Sequence, residues 1–227
     1  KFFKGMFETA LKSGEIIDSE SMISISNLHS EWVSRGANKL IHAINTFDIN
    51  VKDFVCLDLG ASTGGFTEVL LKRYAKKIYS VDVGTNQLHE RLKSESKIIS
   101  LENTNARYLN DTIIKEKIDL IVCDVSFISM KKVLNNCISF LNKNNGAILA
   151  LIKPQFEAYK KEIKGGVVRD RSVHERICDD FKKWFIEVIK MEVIGLTPSP
   201  LKGPKGNIEF FIYAKNIKNI LDNDLQE

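Results

Sequence analysis

The stretch FVCLDLGASTGGFTEVLL, residues 54–71, carries the pattern from which the fold of the chain is predicted. An apolar run passes through Asp58 to Gly60, and the pair Gly64-Gly65 then leads into apolar residues at helical spacing. This order predicts a strand, a tight turn and a helix. Glycine suits such a turn because a residue without a Cβ adopts positive φ and lets a ligand approach the backbone closely. One glycine-rich turn serves many nucleotides and phosphates, so its ligand must be identified from the rest of the chain.

The composition sets broad limits on size, partners and location. The chain has 227 residues, of which 44% are hydrophobic, and this suits one large α/β domain with or without an appendage. A net charge of +4 is too small to indicate a nucleic-acid partner by itself. The four cysteines are widely spaced, which is typical of reduced thiols in a cytosolic protein. No apolar stretch approaches the roughly 20 residues of a membrane-spanning helix, and residues 1–15 lack the apolar core and cleavage site of a signal peptide, so we expect a cytoplasmic protein.

Strands and helices alternate along the chain after the glycine turn. Beyond the first strand, apolar patterns predict strands at 77–83, 97–101, 117–123, 147–152, 191–197 and 207–214, and helices from about residue 34 and at 86–93, 130–141 and 173–189. Such alternation predicts an α/β protein with parallel strands. The last two strands are joined without a helix. We therefore expect a hairpin whose final strand, which contains Glu209, runs antiparallel at the sheet edge.

Gly60, Asp82, Asp124 and Lys153 lie at the carboxyl ends of predicted parallel strands. Because ligands of such sheets bind beyond these ends, the convergence predicts a binding site. Each residue also has a simpler interpretation. Asp82 and Asp124 fit helix N-caps, and Lys153 fits a strand-end lysine that faces water. By position alone, Lys39 at the start of the first helix fits a solvated lysine.

A polar and basic loop, residues 155–171, follows the strand that ends at Lys153. A loop of this length is usually functional or mobile. It carries five cations suited to phosphate contacts, which are Lys160, Lys161, Lys164, Arg169 and Arg171. The alternative is a solvated loop without a ligand.

Two common nucleotide-binding motifs are absent from the glycine turn. The turn lacks the G-K-[ST] ending of a phosphate loop, which argues against phosphoryl transfer from a nucleoside triphosphate. It also departs from G-x-G-x-x-G, which argues against a dehydrogenase. Asp82 follows the turn by roughly 20 residues, at the place where an acid accepts hydrogen bonds from ribose hydroxyls.

This layout, with a D-x-G-x-x-x-G-G-F turn and a final hairpin, resembles that of class I S-adenosylmethionine-dependent methyltransferases. More closely, the chain resembles the TlyA/hemolysin A branch of the FtsJ-like ribose 2'-O-methyltransferases. The resemblance is carried by VSRGANKL, DLGASTGGFTEVLL, VDVGTNQL, LENTNAR, DVSFIS, LIKPQFE, KGGVVRD and SPLKGPKGNIEF, which extend from residue 33 to residue 210. It implies a Rossmann-like fold with a seven-stranded, mostly parallel sheet, an antiparallel edge hairpin and helices on both faces.

The resemblance also implies a reaction, the methylation of ribose 2'-hydroxyls of ribosomal RNA, in relatives at cytidines. The Lys-Asp-Lys-Glu tetrad of FtsJ-like enzymes corresponds to Lys39, Asp124, Lys153 and Glu209. A ribose hydroxyl is a poor nucleophile, so Lys153 is expected to favour the developing alkoxide and take up its proton. The two carboxylates would position the lysines, and Lys39 would orient the ribose or stabilise charge.

Cofactor and RNA contacts follow from the same resemblance. The residues expected to bind S-adenosylmethionine are Asp58, Gly60, Ala61, Ser62, Thr63, Gly64, Gly65, Phe66, Asp82, Val83, Asn105, Ala106 and Asp124. The residues expected to bind RNA are Arg35, Phe127, Lys160, Lys161, Lys164, Arg169, Arg171, Lys202 and Lys205. Phe127 is expected to stack on the substrate base, although a core aromatic explains it equally well from sequence alone.

The resemblance divides the chain into a methyltransferase domain at 31–220 and a polar tail at 221–227. Residues 1–30 are expected to be the remnant or linker of an amino-terminal RNA-binding module that the family carries. One departure is Ala37-Asn38, which replaces a glycine-led pair before Lys39.

Two other functions stay open at this stage. The family also bears the name hemolysin, yet the sequence contains neither an amphipathic membrane-active surface nor a spanning segment. The second open function is that of a protein that keeps the fold but only binds RNA or assists ribosome assembly. The D-V-S-F ending of the fourth strand disfavours a base N-methyltransferase. We expect ribosomal RNA or ribosomal subunits as partners, with no membrane and no metal. The target nucleotide and the oligomeric state stay undetermined.

Overall fold

The fold is described for residues 31–216, from a computed structural model. The expectations for the amino-terminal segment at 1–30 and for the tail at 221–227 lie outside the described residues, as does the end of the expected domain, 217–220.

A single seven-stranded sheet organises the domain. Its strands are β1 (Val55–Leu59), β2 (Lys77–Val81), β3 (Ile98–Leu101), β4 (Leu120–Cys123), β5 (Ala147–Ile152), β6 (Met191–Pro198) and β7 (Phe210–Asn216). They lie in the order β3-β2-β1-β4-β5-β7-β6. The first five pair in parallel, and β7 runs antiparallel to both of its neighbours. The order reverses between β1 and β4, which is where sheets of this kind bind ligands.

Helices cover both faces of the sheet, as predicted. The helices are α1 (Gly36–Thr46), α2 (Gly65–Lys72), α3 (Glu90–Lys93), α4 (Met130–Cys137) and α5 (Arg171–Lys183). Successive strand residues point to opposite faces, so Leu149 joins the apolar cluster under α1 and α2, whereas Ile148 joins the cluster under α4 and α5. Within residues 31–216, no helix has both the length and the apolar character needed to cross a membrane.

The last strand differs from its predicted place. It is antiparallel as expected, but it lies inside the sheet, and β6 forms the edge. The reason is burial on both faces: Phe211 and Ile212 are both fully buried, whereas residues along β6, such as Ile194, are partly exposed. Glu209 also precedes β7 and does not lie within the strand.

Several element boundaries also differ from the predictions. The helix predicted at 86–93 is a single turn at Glu90–Lys93, because the amides of Gln87 and Leu88 donate to the Glu102 carboxylate. The helix predicted at 173–189 starts earlier, at Arg171, and its last part is a π-helical segment, Trp184–Ile189.

Candidate active site

The glycine turn after β1 packs backbone to backbone against the end of β4. Gly60 has a φ of 84°, and a Cβ placed on it would lie 2.8 Å from the carbonyl oxygen of Asp124. The amides of Gly60 and Ala61 both donate to the carbonyl of Val81 at the end of β2. The turn therefore joins the ends of three adjacent strands, and glycine is required at its first position.

A cavity of about 450 Å³ opens at this point of the sheet. Asp82 lies at its wall, where its two carboxylate oxygens accept hydrogen bonds from the amides of Ser62 (2.8 Å) and Gly84 (2.7 Å). The N-cap interpretation of Asp82 is wrong, since α3 begins eight positions later and is capped by His89. Of the residues expected to bind the cofactor, those that line this cavity are Gly60, Ser62, Asp82, Val83, Asn105, Ala106 and Asp124.

A second cavity of about 210 Å³ adjoins the first. Four residues line both, which are Gly60, Ser62, Asp124 and Ser126. Lys39, Lys153 and Arg35 line only the second cavity, together with Ala61, Gly65 and Phe66. A molecule in the larger cavity and one in the smaller cavity would therefore meet at the glycine turn and Asp124.

The four residues of the expected tetrad form two ion pairs beside this junction, in which three side chains are buried and that of Asp124 is partly exposed. The Nζ of Lys153 lies 2.5 Å from Oδ1 of Asp124, and the Nζ of Lys39 lies 2.6 Å from Oε2 of Glu209. The lysines are only 6% and 8% exposed at positions 39 and 153, so the interpretations of both as solvated lysines are wrong. Asp124 is likewise no N-cap, because Ser129 occupies that position of α4.

Glu209 is held tightly in the loop before β7. It is 1% exposed, and its Oε1 accepts a hydrogen bond from Nε2 of Gln155 at 3.3 Å. A Cβ on Gly203 would lie 2.1 Å from that same Oε1, so the loop that precedes β7 needs glycine there to admit the carboxylate. The Glu209 carboxylate does not line the smaller cavity itself, but it contacts Lys39, which does.

Three of the residues expected to bind the cofactor lie away from both cavities. Asp58 is fully buried, where it accepts a hydrogen bond from Thr67 Oγ1 (2.6 Å), which also lies 2.7 Å from Ser80 Oγ. Burial raises the pKa of Asp58 to about 7. Asp58 therefore makes no direct contact with a molecule in either cavity. Its side chain links β1 to α2 through Thr67, which in turn contacts Ser80 of β2. Gly64 packs against Leu88, before α3, and against Leu92 of α3, and Thr63 is exposed.

Phe127 is 90% exposed beside the larger cavity, so the core interpretation of this residue is wrong. Its backbone has a φ of 65°, and its ring centroid lies 5.2 Å from that of Phe156. Such an exposed aromatic beside a cavity offers a stacking surface.

Most of the basic residues expected to bind RNA lie on two loops that touch, whereas Arg35 lies at the start of α1 and Arg171 begins α5. Lys205 donates to the carbonyl of Gly165 (3.3 Å), and Asn207 bridges the loops by donating to Gly166 and accepting from the amide of Val168. Arg169 donates to the carbonyl of Lys164. The remaining cations, Lys160, Lys161, Lys202 and Arg171, are exposed, and Arg171 pairs with Glu175.

The sequence prediction missed side chains that the folded chain brings to the site. Ser126 lines both cavities, and Gln155 contacts Glu209. Gln87 and Thr104 line the larger cavity. Ser126 lies inside the DVSF motif between Asp124 and Phe127, which were both expected site residues. This position was the only signal in the sequence that Ser126 belongs to the site.

The strand order, the glycine turn and the paired cavities define the fold of class I S-adenosylmethionine-dependent methyltransferases. The family model of the FtsJ-like methyltransferases matches residues 32–216. The chain belongs to the FtsJ-like methyltransferase family, and the predicted family is confirmed.

Individual relatives carry two kinds of name. Hemolysin A of Brachyspira hyodysenteriae is 41% identical over 214 residues, which cover 93% of this chain and 87% of that protein. The 16S/23S rRNA (cytidine-2'-O)-methyltransferase TlyA of Mycobacterium tuberculosis is 39% identical over 201 residues, which cover 88% of this chain and 74% of that protein. A crystal structure from Lactococcus lactis that bears the hemolysin name has a TM-score of 0.78 and 38% identity, with 82% of this chain and 89% of that chain covered.

Proposed function

We propose that this protein transfers a methyl group from S-adenosylmethionine to a ribose 2'-hydroxyl of ribosomal RNA, at a cytidine. The observation that carries the proposal is the pair of lysine–carboxylate contacts, Lys153–Asp124 and Lys39–Glu209, at the junction of two cavities. Relatives named for this reaction support the RNA substrate and the cytidine.

The larger cavity has the chemistry that a nucleoside cofactor needs. The Asp82 carboxylate is held by two amides and keeps lone pairs for ribose hydroxyls. Val83, Ile128 and Val133 provide apolar wall beside Asn105, which suits an adenine ring. The absence of a Cβ at Gly60 lets the turn pack against the Asp124 backbone, and both residues line the cavity. When bound, S-adenosylmethionine supplies an electrophilic methyl group at its sulfonium.

The smaller cavity has the chemistry that a ribose hydroxyl needs. A ribose hydroxyl attacks poorly unless its proton is removed or its developing charge is stabilised. Lys153 lies on the cavity wall and in its neutral form accepts that proton at Nζ, while Asp124 holds the amine in place. Lys39 presents a cation to the ribose, and Glu209 fixes its direction. Alignment of the hydroxyl with the methyl carbon contributes a large share of the acceleration.

The surface around the smaller cavity is suited to RNA. Arg35 lies at its wall, and the two basic loops carry Lys164, Arg169, Lys202 and Lys205 with exposed side chains. Phosphate contacts of this kind position a nucleic acid without specifying its sequence. Phe127 offers its exposed ring to an unstacked base. Such a substrate places the working protein in the cytoplasm.

Mass-spectrometric mapping of ribose methylation on ribosomal RNA, with and without the gene, tests the proposal. RNA from the strain without the gene should lack one or more 2'-O-methylcytidines, and the full-length protein should restore them in vitro. Lys153→Ala and Asp124→Ala should reduce transfer by roughly 100-fold or more, the usual range for proton-transfer groups. Lys52→Ala, an exposed lysine before β1, is the matched control and should retain full activity.

Three outcomes would contradict parts of the proposal. Wild-type transfer by Lys153→Ala would exclude the tetrad chemistry. Methylation at a nucleoside other than cytidine would exclude only the cytidine. Lysis of erythrocytes by the wild type and by Lys153→Ala alike, without any RNA methylation, would favour the hemolysin name.

A further inference from the structure

We propose that Ser126 is a positioning residue that directs the lone pair of Lys153 into the smaller cavity. Ser126 lies at the junction of the two cavities and lines both of them. Its Oγ accepts a hydrogen bond from Nζ of Lys153 at 2.8 Å. The inference rests on the proposed function, because it concerns the group that takes the proton there.

The geometry of a neutral amine carries the inference. A lysine that accepts a proton has two N–H bonds and one lone pair on Nζ. Two acceptors lie beside Nζ of Lys153. It donates a hydrogen bond to Ser126 Oγ at 2.8 Å, and Asp124 Oδ1 lies 2.5 Å away in an ion-pair contact that lacks hydrogen-bond geometry in this structure. When both N–H bonds are directed at these acceptors, the lone pair occupies the one remaining tetrahedral direction. With Asp124 alone, the amine rotates about the Cε–Nζ bond and the lone pair has two alternative directions.

Ser126 is held in place although its own residue is exposed. The segment after β5 contacts the segment after β4 at two further points. The Phe156 ring packs against Phe127, and the Glu157 carboxylate accepts a hydrogen bond from the amide of Met130 at 2.8 Å. Both contacts follow Ser126 in the chain, and the Asp124–Lys153 contact precedes it. Val125 and Ile128 on either side pack against the core, so the hydroxyl of Ser126 is held beside Lys153.

Because Ser126 is exposed, its substitution should have little effect on folding, so a change in rate can be assigned to the reaction. Ser126→Ala should lower kcat by roughly 10-fold, the upper range for one lost hydrogen bond between neutral groups, with KM values for cofactor and RNA unchanged. Ser126→Thr keeps the hydroxyl and should restore most of the rate. Ser126→Val has the same shape as threonine without the hydroxyl and should stay as slow as alanine. Ser139→Ala, an exposed serine beyond α4, is the control for serine removal and should match the wild type.

A double-mutant comparison separates a positioning role from a merely structural one. If Ser126 acts through Lys153, Ser126→Ala should cause no further loss of single-turnover rate in the Lys153→Ala background. A further 10-fold loss there, an unchanged kcat in Ser126→Ala, or a defect confined to cofactor KM would each overturn the inference. Failure of the proposed function looks different, since the wild-type protein itself would then transfer no methyl group to ribose.

Discussion

Lys39 and Glu209 lie 170 positions apart in the sequence and form a buried ion pair, with 2.6 Å between Nζ and Oε2. The pair joins α1, near the start of the described chain, to the loop that leads into β7. It therefore connects the first helix with the strand that completes the sheet. Because both side chains are almost fully buried, neither charge is screened well by water.

Breaking this pair from one side should destabilise the domain more than removing it altogether. Lys39→Met or Glu209→Gln leaves one buried group without its charged partner, and each should lower the free energy of unfolding by about 3–5 kcal/mol. The double variant removes both charges and should recover part of that loss. Urea unfolding of the four proteins at one pH measures the coupling. Additive losses would show that the pair contributes nothing as a pair, whereas methyl transfer should be impaired in all three variants.

The glycine at the end of β1 should be needed for cofactor binding in particular. Gly60→Ala adds a Cβ that meets the Asp124 carbonyl at 2.8 Å, at a φ of 84°. Gly206 has nearly the same φ, 86°, with no atom within 4 Å of an added Cβ, so Gly206→Ala is a control for backbone strain alone. Calorimetric titration with S-adenosylhomocysteine should show affinity reduced roughly 10-fold or more in Gly60→Ala and unchanged in Gly206→Ala. Equal affinities in the two variants would contradict the prediction.

The positions at the strand ends were predictable because parallel strands bring their carboxyl ends to one edge. Asp82, Asp124 and Lys153 were found in this way without knowledge of any contact. The partner of Lys39 was not predictable from the fold pattern, since it depends on which loop packs against α1. Sequence separation carries no information about that choice.

Asp58 shows a different limit of the sequence. β1 is buried along its whole length, so its residues have no alternation of apolar and polar character that would indicate the face to which Asp58 points. The same motif fits a carboxylate that faces a cofactor and one that faces α2. The place of β7 was hidden for a similar reason, because the hairpin pattern fixes its direction but leaves open which of its two strands forms the edge.

The buried carboxyl of Asp58 should make stability depend on pH. Its pKa is raised by burial from 3.8 to about 7, so the folded chain binds this proton more tightly than the unfolded chain does. The resulting stabilisation is fully present below pH 3.8 and is lost as the pH rises through 7. Asp58→Asn lacks this titration. Between pH 4 and pH 8, wild-type stability should therefore fall relative to the variant by at most about 4 kcal/mol, from 1.36 kcal/mol per pKa unit.

Denaturant unfolding of wild type and Asp58→Asn across that range measures the difference directly. Other groups that titrate are common to both proteins and cancel in the comparison. Two curves that stay parallel from pH 4 to pH 8 would show that Asp58 does not titrate in this interval.

The exposed ring of Phe127 should matter for RNA and not for stability. The side chain is 90% exposed and touches Phe156 at its rim, so Phe127→Ala should change the free energy of unfolding by less than about 1 kcal/mol. Base stacking on an aromatic ring is worth about 1–3 kcal/mol, so the KM for ribosomal RNA should rise roughly 5- to 150-fold. Phe127→Tyr and Phe127→Trp keep a stacking surface and should retain most of the affinity. Tyr74→Ala removes another exposed aromatic, before β2 and therefore at the opposite end of the strands, and should leave the KM unchanged. An RNA KM that is the same in Phe127→Ala and wild type would exclude the stacking role, and a loss confined to cofactor affinity would assign the ring to the larger cavity.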